Sequence, residues 1–206
     1  MYQFLKFSYI RFISISNCKL QTDMTTKKTI RIAIVGPEST GKSSLTKQLA
    51  THFDTLFVPE YAREYCKDLN RTYTLEDEVN IFYGQIASED RLIPQAKNGL
   101  IFCDTMVLTV KIWCDHLFGS TPKEVLDGIE NRYYDLYLLM DIDLPWQEDK
   151  LRDFPDLREH FMEVWHQELQ AKSANYQVVS GIGETRFLVA RKIVQDYLEK
   201  QDKEDL

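Results

Sequence analysis

Ile30-Arg31-Ile32-Ala33-Ile34-Val35 runs directly into Gly36-Pro37-Glu38-Ser39-Thr40-Gly41-Lys42-Ser43. The first segment is an apolar, β-branched strand interrupted by one charge, and the second spells G-x-x-x-x-G-K-S, the phosphate-cradling P-loop. Gly36 and Gly41 tolerate backbone angles that a side chain forbids, so successive N–H groups can turn inward around phosphate oxygens. Lys42 is placed to reach the β- and γ-phosphates and the Ser43 hydroxyl to ligate Mg²⁺. Ser44 to Ala50 reads as a helix whose N-terminal dipole faces the phosphates. Residues 36–44 are therefore expected to hold a nucleoside triphosphate, written here as ATP, with Mg²⁺; the motif does not separate ATP from GTP.

Strands and helices alternate outward from this junction. Thr55 to Pro59 is a short β-type run ending at Glu60, and Tyr61 to Leu69 reads as a helix. Thr74 caps a longer helix carrying Leu75, Val79, Phe82 and Ile86 at helical spacing, with Asp77 in the place where a capping box prefers Glu or Gln. After the Asn98-Gly99 break, Leu100 to Cys103 is a buried strand that ends in Asp104-Thr105. A helix through Val107 to Leu117 and a short one reaching about Glu130 precede a fourth strand, Tyr134 to Met140. Phe154, Leu157, Phe161, Val164, Trp165 and Leu169 mark one face of an amphipathic helix. Tyr176 to Ser180 is a fifth strand, and a last helix carries Phe187, Ala190, Val194, Tyr197 and Leu198 before an acidic tail over 201–206. The expected fold class is α/β: a P-loop NTPase with a five-stranded parallel sheet flanked by helices, nucleoside-kinase-like with a lid. Its crossovers are right-handed and its ligands bind at the carboxyl ends of the strands.

Composition narrows the partners. At 206 residues, 44% of them hydrophobic, the chain has the size of one α/β domain, taken as residues 30–200. The 32 acidic residues outnumber the 25 basic ones and leave a net charge of −7 without a basic run, which argues against nucleic acid as a partner. Cys18, Cys66, Cys103 and Cys114 show neither zinc nor disulfide spacing, in keeping with a reducing cytoplasm. The apolar start of the chain is broken by Lys6 and Arg11, too short and too charged for a membrane span. Residues 1–29 are read as a disordered tail or a mis-called start with Met24 as the first residue, against a functional N-terminal segment. Assembly as a homo-oligomer stays open.

Four loops could carry chemistry. In Glu60-Tyr61-Ala62-Arg63-Glu64, a carboxylate and a guanidinium stand one helical turn apart, close to where an acceptor would meet the γ-phosphate. Glu60 there could accept or orient the proton of a sugar hydroxyl while Arg63 offsets developing charge; the alternative is a helix-start Glu with a surface ion pair. Asp104 could hold Mg²⁺ through water or grip the substrate, and could also cap the next helix. The charged stretch from Trp146 to Pro155 sits where a lid delivers an arginine to the transferring phosphate; Arg152 is the first candidate and Arg158 the second, a solvated loop the alternative. Trp146 could stack on a heteroaromatic base or pack the lid onto the domain.

The P-loop, Glu60-Tyr61-Ala62-Arg63-Glu64, Asp104-Thr105, and Trp146 with Asp149 to Arg152 together resemble the ribosylnicotinamide kinase domain of NadR-type NAD-biosynthesis proteins in order and spacing. The resemblance covers about Ile30 to Glu199. It implies transfer of the γ-phosphate of ATP to the 5′-hydroxyl of nicotinamide riboside, giving nicotinamide mononucleotide. On that resemblance Trp146 stacks on the nicotinamide ring, Glu60, Arg63 and Asp104 surround the ribose and its hydroxyl, Tyr61 and Asp149 belong to the substrate site, and Arg152 closes over the phosphates. Lys42, Glu60, Arg63, Asp104 and Arg152 form the catalytic set. The family's lid often reads Asp-Gly-x-Arg where this chain has Asp149-Lys150-Leu151-Arg152. Bifunctional relatives carry further domains ahead of this one; with about 29 residues before the first strand, none is expected here. The competing expectations are a kinase for another nucleoside or metabolite, and a P-loop ATPase acting as a regulatory switch.

Overall fold

A computed structural model describes residues 28–149 and 151–204. The expectations of a tail or a later start within residues 1–27 lie outside the described residues. Strand β1 (Ile30–Val35) is apolar on both faces, and Ile32 through Val35 are fully buried. That places it at the centre of a sheet with helices on both sides.

It pairs in parallel with β3 (Leu100–Asp104) on one side and with β4 (Leu136–Met140) on the other. The short edge strand β2 (Phe57–Val58) and β5 (Tyr176–Val179) complete a five-stranded sheet of order β2-β3-β1-β4-β5. The period-2 alternation of β1 splits the interior. Ala33 and Val35 face a core shared with α3 (Leu75–Leu92), α4 (Leu108–Phe118), α5 (Lys123–Glu130) and α6 (Arg158–Ala171). Ile32 and Ile34 face α1 (Lys42–His52) and α7 (Glu184–Glu204). The register Ile34↔Asp104 sets the carboxyl end of β3 beside the start of the phosphate loop.

Among the boundaries that differ from the sequence expectation, four have a local physical reason. β2 keeps only two residues, because as an edge strand it pairs with Phe102 and Cys103 alone. Helix α2 (Tyr61–Tyr65) stops four residues early, its end tightened by an i→i+3 bond from Lys67 N–H to the Glu64 carbonyl (3.3 Å). α6 begins only at Arg158, after a 3₁₀ turn over Pro155–Leu157, since Pro155 suits a first helical turn and cannot continue one. The acidic tail expected from residue 201 is helical through Glu204, where Gln201 Nε2 donates to the Glu204 carboxylate at 3.1 Å.

Asp77, which the sequence marks as a weak capping-box acid, ties three segments together. Its fully buried carboxylate accepts from the Thr74 backbone N–H (2.7 Å), the Tyr65 hydroxyl (2.8 Å) and both terminal nitrogens of Arg71 (2.6 and 2.7 Å). These donors, Arg71 foremost, hold its pKa well below the usual carboxylate range. The loop between α2 and α3 is fixed as a result. Cys103 and Cys114 are buried free thiols, and Cys66 is buried as well. Among the described residues no helix is long and apolar enough to cross a membrane.

Candidate active site

The phosphate loop needs its glycines for two separate reasons. Gly36 has φ +133°, and a Cβ there would lie 2.9 Å from the Met140 carbonyl oxygen of β4. Gly41, at φ +81°, is the left-handed residue on which α1 starts, so the free N–H groups of that helix open onto the loop. Inside the loop the Thr40 hydroxyl donates to the Pro37 carbonyl at 2.9 Å, and Lys42 Nζ donates to the carbonyls of Gly36 (2.9 Å) and Pro37 (2.7 Å). Burial lowers the Lys42 pKa, and the carboxylates of Glu60, Asp104 and Glu38 oppose that effect.

Asp104 ends β3 almost completely buried, beside the Ser43 hydroxyl. Burial and then the nearby Glu60 charge push its pKa up to about 6, against the Ser43 hydrogen bond and Lys42. Its Oδ1 is buried without a hydrogen-bond partner. A buried acid with one orphaned oxygen, next to the P-loop serine, is the donor set that suits a hard divalent cation. Among the described residues no group of three or more His, Cys, Asp or Glu side chains could hold a metal by itself, so such an ion would have to share its ligands with nucleotide phosphates. Thr105, the next residue, is held at φ +64°, a strained conformation for a β-branched side chain.

Facing this pair is a clasp that joins elements far apart in sequence. Glu60 precedes α2, and Arg63 one turn later donates from Nε to its carboxylate at 2.9 Å. Arg63 Nη1 also reaches Asp149 at 3.2 Å, across from the lid segment. Burial disfavours the guanidinium charge; Glu60 and Asp149 more than offset it and raise its pKa.

The lid segment lies on the phosphate loop through backbone donors: Gln147 N–H to Ser39 Oγ (2.8 Å) and Phe154 N–H to Glu38 (3.4 Å). Arg152 Nη1 donates to the Gln147 carbonyl at 2.5 Å and stands 3.5 Å from Ser39 Oγ, so the predicted lid arginine does sit above the loop. Arg158 turns instead to the Leu144 carbonyl at 2.8 Å.

A cleft of about 820 Å³ runs from Gly183 and Arg186 over residues 36–44 into a chamber between α2, α3, α4 and α6. Glu60, Arg63 and Arg152 line it. Of the residues expected to contact substrate, Glu60 lines the cleft, whereas Tyr61, Asp104, Trp146 and Asp149 do not. The ring of Tyr61 lies on Gly84 of α3, where a Cβ would come within 1.9 Å of it, and so fixes α2 to α3. Trp146 is half-buried and outside the cleft lining, whereas Pro145 and Gln147 on either side line it. Asp149 acts through Arg63. The aromatic walls of the chamber come from Trp113, Phe154, Phe161 and Trp165, with Trp113 stacked on Phe154 at 5.7 Å.

Trp113 was not legible as a site residue, because it sits in an otherwise ordinary apolar helix. Neither was Arg186. This buried arginine at the start of α7 donates to the carbonyls of Gly181 (2.6 Å) and Thr40 and pairs with Asp143, bracing the phosphate loop from behind. The available signal was the Gly181-Ile182-Gly183 turn at the carboxyl edge of β5.

A parallel sheet with its P-loop after the central strand, and a buried acid on the neighbouring strand beside the P-loop serine, define a P-loop nucleotide-binding domain of the α/β class. The sequence profile of the AAA domain family matches residues 31–186, and the chain belongs to that family.

Among individual relatives, the chain is 27% identical over 179 residues to the trifunctional NAD biosynthesis/regulator protein NadR of Escherichia coli K12, covering 82% of this chain and 43% of the relative. It is 31% identical over 127 residues to the NadR of Salmonella typhimurium LT2, covering 59% and 30%. The chain thus spans less than half the length of these curated relatives. Its fold is shared with a crystal structure of NadR in complex with NR, at TM-score 0.69 and 23% identity over 82% of this chain and 50% of that one. It is also shared with thymidylate kinase from Ehrlichia chaffeensis, at TM-score 0.60 and 13% identity over 81% and 99%.

Proposed function

We propose that this chain is a small-molecule kinase that transfers the γ-phosphate of ATP to a nucleoside hydroxyl, with nicotinamide riboside as acceptor and nicotinamide mononucleotide as product. The observation that carries the reading is the continuity of the cleft. The phosphate loop, the Glu60–Arg63–Asp149 clasp and an aromatic chamber follow one another along a single cavity. A switch ATPase would need a water-positioning group at the γ-phosphate and no such chamber. The NadR relatives favour nicotinamide riboside, since one solved NadR is described in complex with NR and another with NAD and AMP-PNP.

Each side chain then has a task. The backbone N–H groups of residues 38–44 and the Lys42 ammonium bind the triphosphate, with Lys42 leaving its two loop carbonyls for phosphate oxygens. Ser43 and Asp104 would hold Mg²⁺, which neutralises charge on the β- and γ-oxygens. Glu60, positioned by Arg63, takes or orients the proton of the acceptor hydroxyl. Arg152 offsets charge developing on the transferred group. The lid excludes water while it remains bonded to Glu38 and Ser39.

The test is ADP release with ATP and Mg²⁺ across nicotinamide riboside, common nucleosides, deoxynucleosides and no acceptor, with Lys42→Ala as the inactive control. Stimulation by nicotinamide riboside alone is expected. Stimulation by another acceptor replaces the substrate, and acceptor-independent hydrolysis refutes the kinase reading.

A further inference from the structure

The deep end of the chamber contains a carboxylate that the phosphoryl-transfer scheme does not use. Glu78, Ile81 and Gln85 form one stripe of α3, and all three line the cleft. Glu78 is only 2% exposed and shares the lining of this cleft with Trp113, Phe161 and Trp165. Among the described residues no Lys, Arg or His pairs with it, because Arg71, the nearest candidate in sequence, is bound to Asp77. Tyr73 hydrogen-bonds it, and a buried acid with no countercharge is costly to ionise unless a cationic ligand completes it.

We propose that Glu78 is the specificity-determining residue of this chamber, favouring an acceptor whose ring carries a fixed positive charge over one whose ring is neutral. The charge of that ring is met by the Glu78 carboxylate and by the aromatic faces around it, which favour cations over neutral rings of the same shape. The proposal rests on reading the cleft as the acceptor site of a nucleoside kinase, and it supplies the reason for preferring one class of base.

The chemistry has a definite pH signature. Burial pushes the Glu78 pKa up to about 8, against the Tyr73 hydrogen bond that lowers it, with Asp77 raising it further. The other titratable groups beside it are Tyr73, Cys66 after α2, and Cys114 on α4, whose thiol burial pushes up to about 12. Without ligand Glu78 is therefore mostly protonated at neutral pH. A cation binds its ionised form, so cation affinity rises with pH by about tenfold per unit up to about pH 8 and levels off above it. A neutral Glu78 donating to a ligand carbonyl would give the opposite slope.

The experiment is titration of the full chain with 1-methylnicotinamide, a fixed cation, and with neutral nicotinamide, by calorimetry at pH 6.5, 7.5 and 8.5, for wild type and Glu78→Gln. At pH 8.5 the cation should bind at least tenfold more tightly than nicotinamide, and its affinity should fall on acidification while that of nicotinamide stays flat. In Glu78→Gln both the preference and the pH slope should vanish, with binding of a non-hydrolysable ATP analogue retained. No preference for the cation, a flat or reversed slope, or an unchanged Glu78→Gln each overturns the proposal. If Glu78→Gln fails to fold, the wild-type pH series decides. Glu78-dependent cation binding without kinase activity would sink the proposed function and keep this inference; nicotinamide riboside phosphorylation unaffected by Glu78→Gln would do the reverse.

Discussion

Gly84→Ala tests whether the site is built through α2. A Cβ on residue 84 would stand 1.9, 2.3 and 2.4 Å from three ring atoms of Tyr61. Carbon contacts settle near 3.5–4.0 Å, so the ring must retreat by about 2 Å. Overpacking of this kind costs about 1–3 kcal/mol, and the helix propensity of Ala over Gly returns about 1 kcal/mol. A net loss of about 1 kcal/mol is expected, a fall in Tm of about 2–4 °C for a chain of this size. Turnover should suffer more than stability. Tyr61 lies between Glu60 and Arg63, and its N–H is also anchored on Gln85 Oε1 at 3.0 Å, so its displacement moves both charged groups. A misplacement of about 1 Å costs on the order of 10²-fold in rate. The assay is a double-mutant cycle with Tyr61→Ala, read by thermal melting and by steady-state kinetics. In the Tyr61→Ala background the obstacle is gone, and Gly84→Ala should stabilise by about 1 kcal/mol through propensity alone. If Gly84→Ala stabilises the wild-type background, or leaves its turnover intact, the argument that Tyr61 on Gly84 positions the clasp is refuted.

Glu60→Gln and Asp104→Asn should each cut turnover by ~10²-fold or more while nucleotide affinity persists; near-normal turnover removes that residue from the mechanism. Asp77→Asn should destabilise by about 1–2 kcal/mol at pH 7 through loss of the cap and its charged partner. Because the folded pKa of Asp77 is depressed, its contribution is fully present above about pH 4 and fades as pH falls towards the folded value. The melting difference between Asp77→Asn and wild type should therefore narrow on acidification, and a gap independent of pH would contradict the ion-pair account.

The sequence alone determined the sheet and the phosphate loop. A strand, a glycine-bounded loop and a helix in direct succession are local features, and the apolar runs that make β1, β3 and β4 are readable without knowing their neighbours. It also placed Glu60 and Asp104 correctly at strand ends, since the carboxyl edge of a parallel sheet is a consequence of strand direction. Only the tertiary structure decided what those residues touch. Arg63, paired with Glu60, reaches Asp149 across 86 positions of sequence. Arg186 reaches Thr40 across 146. The aromatic walls come from Trp113 and Phe161 rather than from Trp146, because which face of a helix meets a cavity is fixed by the packing of that helix against others. Glu78 illustrates the same limit: helical spacing puts it on a stripe with Ile81 and Gln85, but only the fold turns that stripe into a chamber and leaves its acid without a cation.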